Sequence, residues 1–391
     1  MSNRLCRHDD VFCTILPPHM LKHMASSGDK DVCDRAYRSL EVTAAARGQR
    51  AILGPMAAAL TVSAGEKRRT IYDAQRKQSL PGKLVRGEDG KPSKDVTVNE
   101  AFDGAGATYD FYNAVCARNS VDGRGMRLDS TVHYGVNFLN AFWNGTQMVY
   151  GDGDGKIFNR FTGSVDIIGH ELTHGVVQFS AALEYQDQSG ALNESFADVF
   201  GSLVKQYLRK QTADKADWLI GEGLLATGIR GVALRSLKAP GTAYNDPLLG
   251  KDPQPATMAN FVNTEDDNGG VHINSGIPNK AFYQLATILG GFAWEKAGRI
   301  WYDALTRKLS RDATFQQCAQ ATFVAAGELF GAGKAEQIAT QQAWQAVGIA
   351  ITTAAVAMGP KIPVKRVAAK SAPAPALAKP SARKPAPKRA R

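Results

Sequence analysis

Residues 170–174 read His-Glu-Leu-Thr-His. Two histidines four positions apart lie on one face of a helix, about one turn apart. That spacing lets both rings reach a single zinc ion. Glu171 is offset around the helix and need not bind the metal; it is placed to take a proton from a metal-bound water. Further on, Glu194 and Asp198 repeat the four-residue spacing inside Asn193-Glu194-Ser195-Phe196-Ala197-Asp198. Glu194 offers a third ligand, and Asp198, one turn later, can orient a ligand histidine. Three protein ligands leave one position open for water, which marks a catalytic rather than a structural site. Zinc lowers the pKa of such a water toward about 7. Glu171 is then the general base and later passes the proton to a leaving amine. The alternative is a pair of surface or core histidines on an ordinary helix. The flanks Val165, Ile167, Ile168, Leu172, Val176 and Val177, with Leu192, Phe196, Val199 and Phe200 on the second helix, make both helices apolar. Burying imidazoles and carboxylates there is costly unless a metal satisfies them. Peptide-bond hydrolysis is the leading expectation.

Those side chains need elements to hold them. The chain has 391 residues, 44% hydrophobic and 8% aromatic, enough for two domains plus extensions. No apolar run is long enough for a transmembrane helix. Met1 to Asp10 is polar and lacks the apolar stretch of a secretory signal. A cytoplasmic protein as synthesised is expected, with export by a non-classical route as the alternative. The cysteines (Cys6, Cys13, Cys33, Cys116 and Cys318) are scattered and odd in number, so free thiols are expected rather than a disulfide framework. Cys6, His8 and Cys13 fit no standard metal spacing.

The fold class expected is α+β. Residues 1–60 look like a separate unit, with a Pro17-Pro18 turn followed by Met20, Leu21 and Met24. Asp31 to Arg47 then reads as a helix with Val32, Ala36, Leu40 and Ala44 on one stripe. Residues 61–170 read as a β-rich domain ending in the zinc helix. Its strands include Arg69 to Asp73 and Gln147 to Tyr150, interrupted by a helical stretch from Asp103 to Cys116. Residues 171–350 read as an α-helical domain. The helices expected from Ser164 onward are 164–180, 191–210, 275–290, 293–310, 313–331 and a short one near Gln337 to Val347. The zinc helix then lies at the junction of the two domains, at the base of a cleft. Residues 351–391 form a tail of Ala, Pro and Lys that cannot bury a core and is expected to be disordered. The formal charge of +10 belongs to this end, because residues 361–391 hold ten Lys or Arg and no acid. The body is near neutral, and the tail, without aromatic residues for stacking, is a poor nucleic-acid module. Docking to an anionic surface or an acidic partner is its functional option, and simple solubilisation the bland one.

Four further runs accompany the zinc helix: Asn140-Ala141-Phe142-Trp143-Asn144-Gly145, Met148 to Gly155, Ser189 to Glu194, and Asp267-Asn268-Gly269-Gly270-Val271-His272-Ile273-Asn274-Ser275-Gly276. In this order they resemble the thermolysin-like zinc metallopeptidases over roughly residues 65 to 350. The resemblance implies a two-domain thermolysin-like fold and a zinc endopeptidase cutting on the N-terminal side of hydrophobic residues. It makes His272 and Tyr185 the donors to the developing oxyanion, with Asp267 orienting the histidine. Asn140, Ala141 and Arg235 carry over as contacts to the substrate backbone, Arg235 by two parallel bonds to a carbonyl. Phe158, Phe161, Ile167, Ile220, Leu224 and Leu234 carry over as the specificity pocket. Phe161 fills a position that is often smaller, so a shallower pocket favouring medium aliphatic side chains is expected. Residues 1–60 resemble the short pro-segment of protealysin-like members, which bears a Pro-Pro motif. Such a segment covers the cleft until proteolysis removes it, with a cleavage point expected between Ala44 and Gly65.

Calcium departs from the family pattern. Asp166, Asp187, Asn193, Asp217 and Glu222 are retained, but Lys205 and Gly223 stand where carboxylates belong. A lysine amine repels calcium, so a paired-ion site is lost and room is left for one calcium at Asp166, Asp217 and Glu222. The expected partners are a peptide or protein substrate and the chain's own pro-segment, and the enzyme is expected to be a monomer. Two other classes compete. One is an inactive protease fold that binds partners through its basic tail, which the retained Glu171, His272 and metal ligands argue against. The other is a zinc hydrolase of non-peptide substrates, which Asn140, Ala141 and Arg235 argue against.

Overall fold

The computed structural model describes residues 14–43 and 66–351. The Cys6, His8 and Cys13 cluster, the expected cleavage stretch and the basic tail lie outside the described residues. Everything described belongs to the compact unit Met1–Thr352.

The N-terminal half is built on a mixed sheet. Its strands are β1 (Arg69–Asp73), β2 (Lys83–Arg86), β3 (Leu128–Val132), β4 (Ala141–Trp143) and β5 (Met148–Tyr150), in the order β2-β1-β3-β5-β4. β1, β3 and β5 run parallel, while β2 and β4 are antiparallel edges. Helix α3 (Val96–Cys116) packs on β1 and β3 and reaches the zinc helix. It begins seven residues before the expected Asp103, at Val96. The Asp95 carboxylate accepts the Thr97 N–H at 2.9 Å and caps it. That cap outweighs the β-branched Val96-Thr97-Val98 run that hid the helix in the sequence.

The C-terminal half is helical: α4 (Val165–Gln178), α5 (Asp187–Arg209), α6 (Asp267–Asn274), α7 (Gly276–Leu289), α8 (Ala297–Arg307), α9 (Phe315–Phe330) and α10 (Ala335–Ala346). Two short ribbons, β6 (Leu219–Ile220) with β7 (Arg235–Ser236) and β8 (Asn245–Asp246) with β9 (Gly250–Lys251), lie between α5 and α6. Helix α5 starts before the expected 191, and α8 starts after the expected 293. Residues 292–295 instead form a turn closed by Glu295 N–H on the Phe292 carbonyl at 3.1 Å.

The pairing of α4 with α5 makes the site. A Cβ at Gly201 would lie 2.5 Å from the Asp166 carbonyl oxygen and 2.9 Å from the His170 nitrogen. Only glycine lets the two helices pass backbone to backbone. This close crossing brings Glu194 of α5 within reach of both histidines of α4.

The first described segment lies on this body. Thr14 bridges Phe142 on the free edge of β4 in antiparallel sense. Helix α1 (Pro18–Ala25) follows, with Pro18 in the first turn, where its missing N–H costs nothing. Helix α2 covers residues 30–43. Met20, Leu21, Met24, Val32 and Ala36 are buried in the same core as the sheet and the helices, with Leu40 packed at its margin. Arg35 forms a nearly dry ion pair with Asp154 at 3.1 Å.

Candidate active site

On α4, His170 and His174 turn their Nε2 atoms toward each other at 3.0 Å. From α5, Glu194 places Oε2 3.6 Å from His170 Nε2 and Oε1 3.5 Å from His174 Nε2. All three residues are buried, and they form the one cluster able to hold a metal among the described residues. A tetrahedral ion with bonds of about 2.1 Å holds its ligand atoms about 3.4 Å apart, so the set fits zinc. Glu194 Oε2 is buried with no hydrogen-bond donor among the described residues. A cation is what it lacks.

The far nitrogens of the two rings are also held. His170 Nδ1 lies 2.8 Å from Asp198 Oδ1, as the one-turn spacing implied. His174 Nδ1 lies 2.9 Å from Asn193 Oδ1. The sequence reading had placed Asn193 with calcium; its position beside Glu194 on α5 was the available signal. These contacts keep both Nε2 lone pairs facing the metal position.

Asp198 does more than hold His170. Arg235 reaches it with Nε and Nη2, each at 2.9 Å, and Asn279 Nδ2 donates to it at 2.9 Å. Burial alone would raise the Asp198 pKa, but Arg235 and His170 hold it below the ordinary carboxylate range. Sequence reasoning missed Asn279, which stands 81 residues away on another helix.

Glu171 is fully buried, and its Oε2 accepts the Trp143 N–H at 3.0 Å. Edge strand β4 thus orients the expected base. Opposite it, Tyr185 donates its hydroxyl to Glu194 Oε1 and lies 3.2 Å from His272 Nε2. His272 Nδ1 is 2.8 Å from Asp267 Oδ1. Burial disfavours the imidazolium, but Asp267 and Glu194 outweigh it and lift the His272 pKa to about 8. The loop carrying His272 turns through four residues at positive φ, Asp267 to Gly270. A Cβ at Gly269 would fall 2.1 Å from an Asp187 oxygen, so glycine is required there.

The expected backbone contacts meet an occupant. Arg235 Nη1 donates to the Ile15 carbonyl at 3.1 Å, and Ile15 N–H donates to the Ala141 carbonyl at 3.1 Å. Leu16 N–H donates to Asn140 Oδ1 at 2.9 Å. The Thr14 carbonyl lies 3.1 Å from His272 Nε2. Phe158, Phe161, Ile167, Ile220, Leu224 and Leu234 are all buried. Ile220 pairs with Arg235 across β6 and β7, and Leu234 precedes Arg235 in the chain. The Phe158 and Phe161 rings stand 6.0 Å apart.

The residues expected at a calcium are paired with cations of the protein itself. Lys205 Nζ lies 2.8 Å from both Asp166 and Asp217 and donates to the Leu219 carbonyl at 2.8 Å. Arg209 takes Glu222 at 3.0 Å. Protein cations already neutralise the three carboxylates, so they do not converge on a cation position. Burial favours neutral Lys205, yet the two aspartates raise its pKa above the ordinary value.

Comparison with known proteins agrees with this geometry. Residues 58–178 match the thermolysin metallopeptidase catalytic domain, and residues 181–349 match its alpha-helical domain. The extracellular metalloprotease of Pectobacterium carotovorum subsp. carotovorum is 51% identical over 342 residues, covering 87% of this chain and 97% of that protein. Protease PrtS of Photorhabdus sp. (strain Az29) is 56% identical over 286 residues, covering 72% of this chain and 76% of that one. The solved precursor of protealysin, a metalloproteinase from Serratia proteamaculans, superposes with a TM-score of 0.80 at 52% identity. It covers 86% of this chain and 100% of that one.

Proposed function

This chain belongs to the thermolysin metallopeptidase family, and from that premise we propose that it is a zinc endopeptidase made as a self-inhibited precursor, cutting peptide bonds on the N-terminal side of hydrophobic residues. It is a metalloendopeptidase with a His170, His174 and Glu194 zinc site. The observation that carries the rest is the occupant of the cleft. Residues 14–16 lie on β4 and engage Asn140, Ala141, Arg235 and His272 beside the zinc ligands.

Zinc, when bound, acidifies a water and polarises the scissile carbonyl. Glu171 takes the proton of that water and passes it to the leaving amine. Its orientation comes from the Trp143 N–H. His272 and Tyr185 face the carbonyl oxygen and stabilise its developing charge. Asp267 keeps the His272 ring turned toward the cleft. Asn140, Ala141 and Arg235 align the substrate backbone with β4, so the peptide binds as an added strand. The buried set of Phe158, Phe161, Ile167, Ile220, Leu224 and Leu234 supports an apolar pocket for the residue after the cut. Two rings in that set favour medium aliphatic over large aromatic side chains. Residues 1–60 serve as the inhibitory pro-segment, supported by the burial of Met20, Leu21, Met24, Val32 and Ala36.

The test is Glu171→Ala. It retains one zinc per chain by elemental analysis while peptide hydrolysis falls about 10²–10⁴-fold. Undiminished turnover in that variant would remove Glu171 from the role of base. Profiling on a peptide library checks the pocket, with Leu, Ile or Val expected after the cut bond.

A further inference from the structure

The contacts of residues 14–16 have a direction as well as a place. The cleft reads a backbone through groups of fixed polarity. Arg235 can only donate, and the Ala141 carbonyl can only accept. The segment meets them in order. The Thr14 carbonyl faces His272 Nε2 at 3.1 Å, and the Ile15 N–H meets the Ala141 carbonyl at 3.1 Å. The Ile15 carbonyl meets Arg235 at 3.1 Å, and the Leu16 N–H meets Asn140 Oδ1 at 2.9 Å. Laid the other way, the chain would run from these groups toward His272, and the residue after the carbonyl there would lie outside them. The direction is therefore that of a substrate rather than of a reversed plug. The carbonyl beside His272, whose Nε2 also meets the Tyr185 hydroxyl, is the one that hydrolysis would attack, and it belongs to Thr14. The residue that follows, Ile15, is fully buried and aliphatic, the class expected after the cut.

We propose that Thr14–Ile15 is a scissile bond which the zinc-loaded chain cuts in its own active site; this rests on the proteolytic reading above. A water oxygen bonds to the Thr14 carbonyl carbon, and the bond from that carbon to the Ile15 nitrogen breaks. The nitrogen leaves as an amine, with the proton relayed by Glu171, and Thr14 ends as a carboxylate. One water is consumed and nothing else. The cut does not free the cleft. Ile15 and Leu16 stay on Arg235 and Asn140, His19 stays 3.1 Å from the Tyr244 hydroxyl, and Arg35 stays on Asp154. Release of residues 1–14 thus precedes full activation and leaves a new amino terminus in the cleft.

Zinc is added to metal-free, full-length chain, and intact mass, N-terminal sequence and hydrolysis of an added fluorogenic peptide are followed together. The first product is expected to begin at Ile15. Its rate should not depend on protein concentration, and Glu171→Ala should not form it. The register is read separately on metal-free chain by hydrogen exchange. The Ile15 and Leu16 amides are expected to exchange at least about tenfold slower than in an unfolded peptide, and Asn140→Ala should release Leu16 selectively. Hydrolysis of the added peptide while Thr14–Ile15 stays intact would overturn this inference and leave the proteolytic reading standing. Free exchange at Ile15 and Leu16 would overturn the register and with it the inference. A zinc-loaded chain that cuts neither itself nor the peptide would overturn both.

Discussion

Two buried charge clusters sit on the same pair of helices and solve the same problem differently. His170, His174 and Glu194 present two ring nitrogens and a carboxylate to one point. One turn earlier on α4, Asp166 meets Lys205 of α5 and Asp217. The zinc ligands, Asp166 and Lys205 are buried, with Asp217 partly exposed at the margin, and both clusters need a positive charge, because an uncompensated buried carboxylate is expensive. The second carries its cation covalently, as an ammonium with every proton directed at an oxygen. The first takes its cation from solution. An ammonium has no vacant coordination position and can only hold helices together. A bound metal keeps a place for water and can do chemistry. The difference separates structural from catalytic use of the same α4 and α5 crossing.

Stripping the metal should break the catalytic cluster alone: hydrolysis disappears, the far-ultraviolet circular dichroism spectrum persists, and added zinc restores turnover. Lys205→Met attacks the other cluster and should cost about 3–5 kcal/mol in urea unfolding, by leaving the buried Asp166 without its partner. Asp198→Asn should weaken zinc affinity and activity about 10–100-fold, read by chelator competition. It should leave the Lys205 cluster unaffected, since the two share no side chain.

Acid should separate the cleft occupant from both clusters. His19 is buried against Tyr244; burial, with His272, Arg235 and Lys22 nearby, holds its pKa down to about 4 against the pull of Asp267. Its Nδ1 is buried with no hydrogen-bond partner among the described residues, so a second ring proton would go unsatisfied. The released segment binds protons from about pH 6.5 downward. Docking is therefore fully supported above that value and weakens about tenfold per pH unit as pH falls toward 4. The Lys205 and Asp217 pair does not respond in this window. Asp217 titrates below its ordinary value and Lys205 above its own, so that pairing is lost only in stronger acid or strong base. Hydrogen exchange of α1 at pH 5 and pH 7 should show the acid release, and His19→Phe should flatten it. The smallest effect is expected from calcium. Adding it should leave the unfolding midpoint unchanged, because Lys205 and Arg209 already hold its carboxylates; a clear rise would restore a calcium site.

The catalytic cluster was the more legible of the two. Four-residue spacing on a helix converts directly into geometry, so His170 with His174, and Glu194 with Asp198, could be read before any fold was known. Helix starts were less legible where a single cap decided them, as at Asp95, or where Ser189 and Gly190 in the first turn of α5 read as breakers. The Lys205 cluster was half legible. The sequence showed a positive charge where the family pattern has carboxylates, but not that one ammonium reaches both Asp166 and Asp217. Asn279 was not legible at all, because nothing in its neighbourhood points to Asp198.

The residue types and local spacings by themselves determined that this chain holds zinc, keeps an open coordination position and carries a base beside it. His170, Glu171 and His174 lie within about one helical turn, where the backbone sets the distances, while Glu194 reaches them only through the α4 and α5 crossing. Tertiary structure alone decided that the Lys205 ammonium bridges Asp166 and Asp217, that Asn193 and Asn279 steady the ligand shell, and that residues 14–16 enter the cleft in the direction of a substrate. Each depends on the close α4 and α5 crossing, on α7 packing against α5, or on a segment folding back across more than a hundred residues. Such contacts follow from packing and backbone polarity, which no local pattern in the chain records.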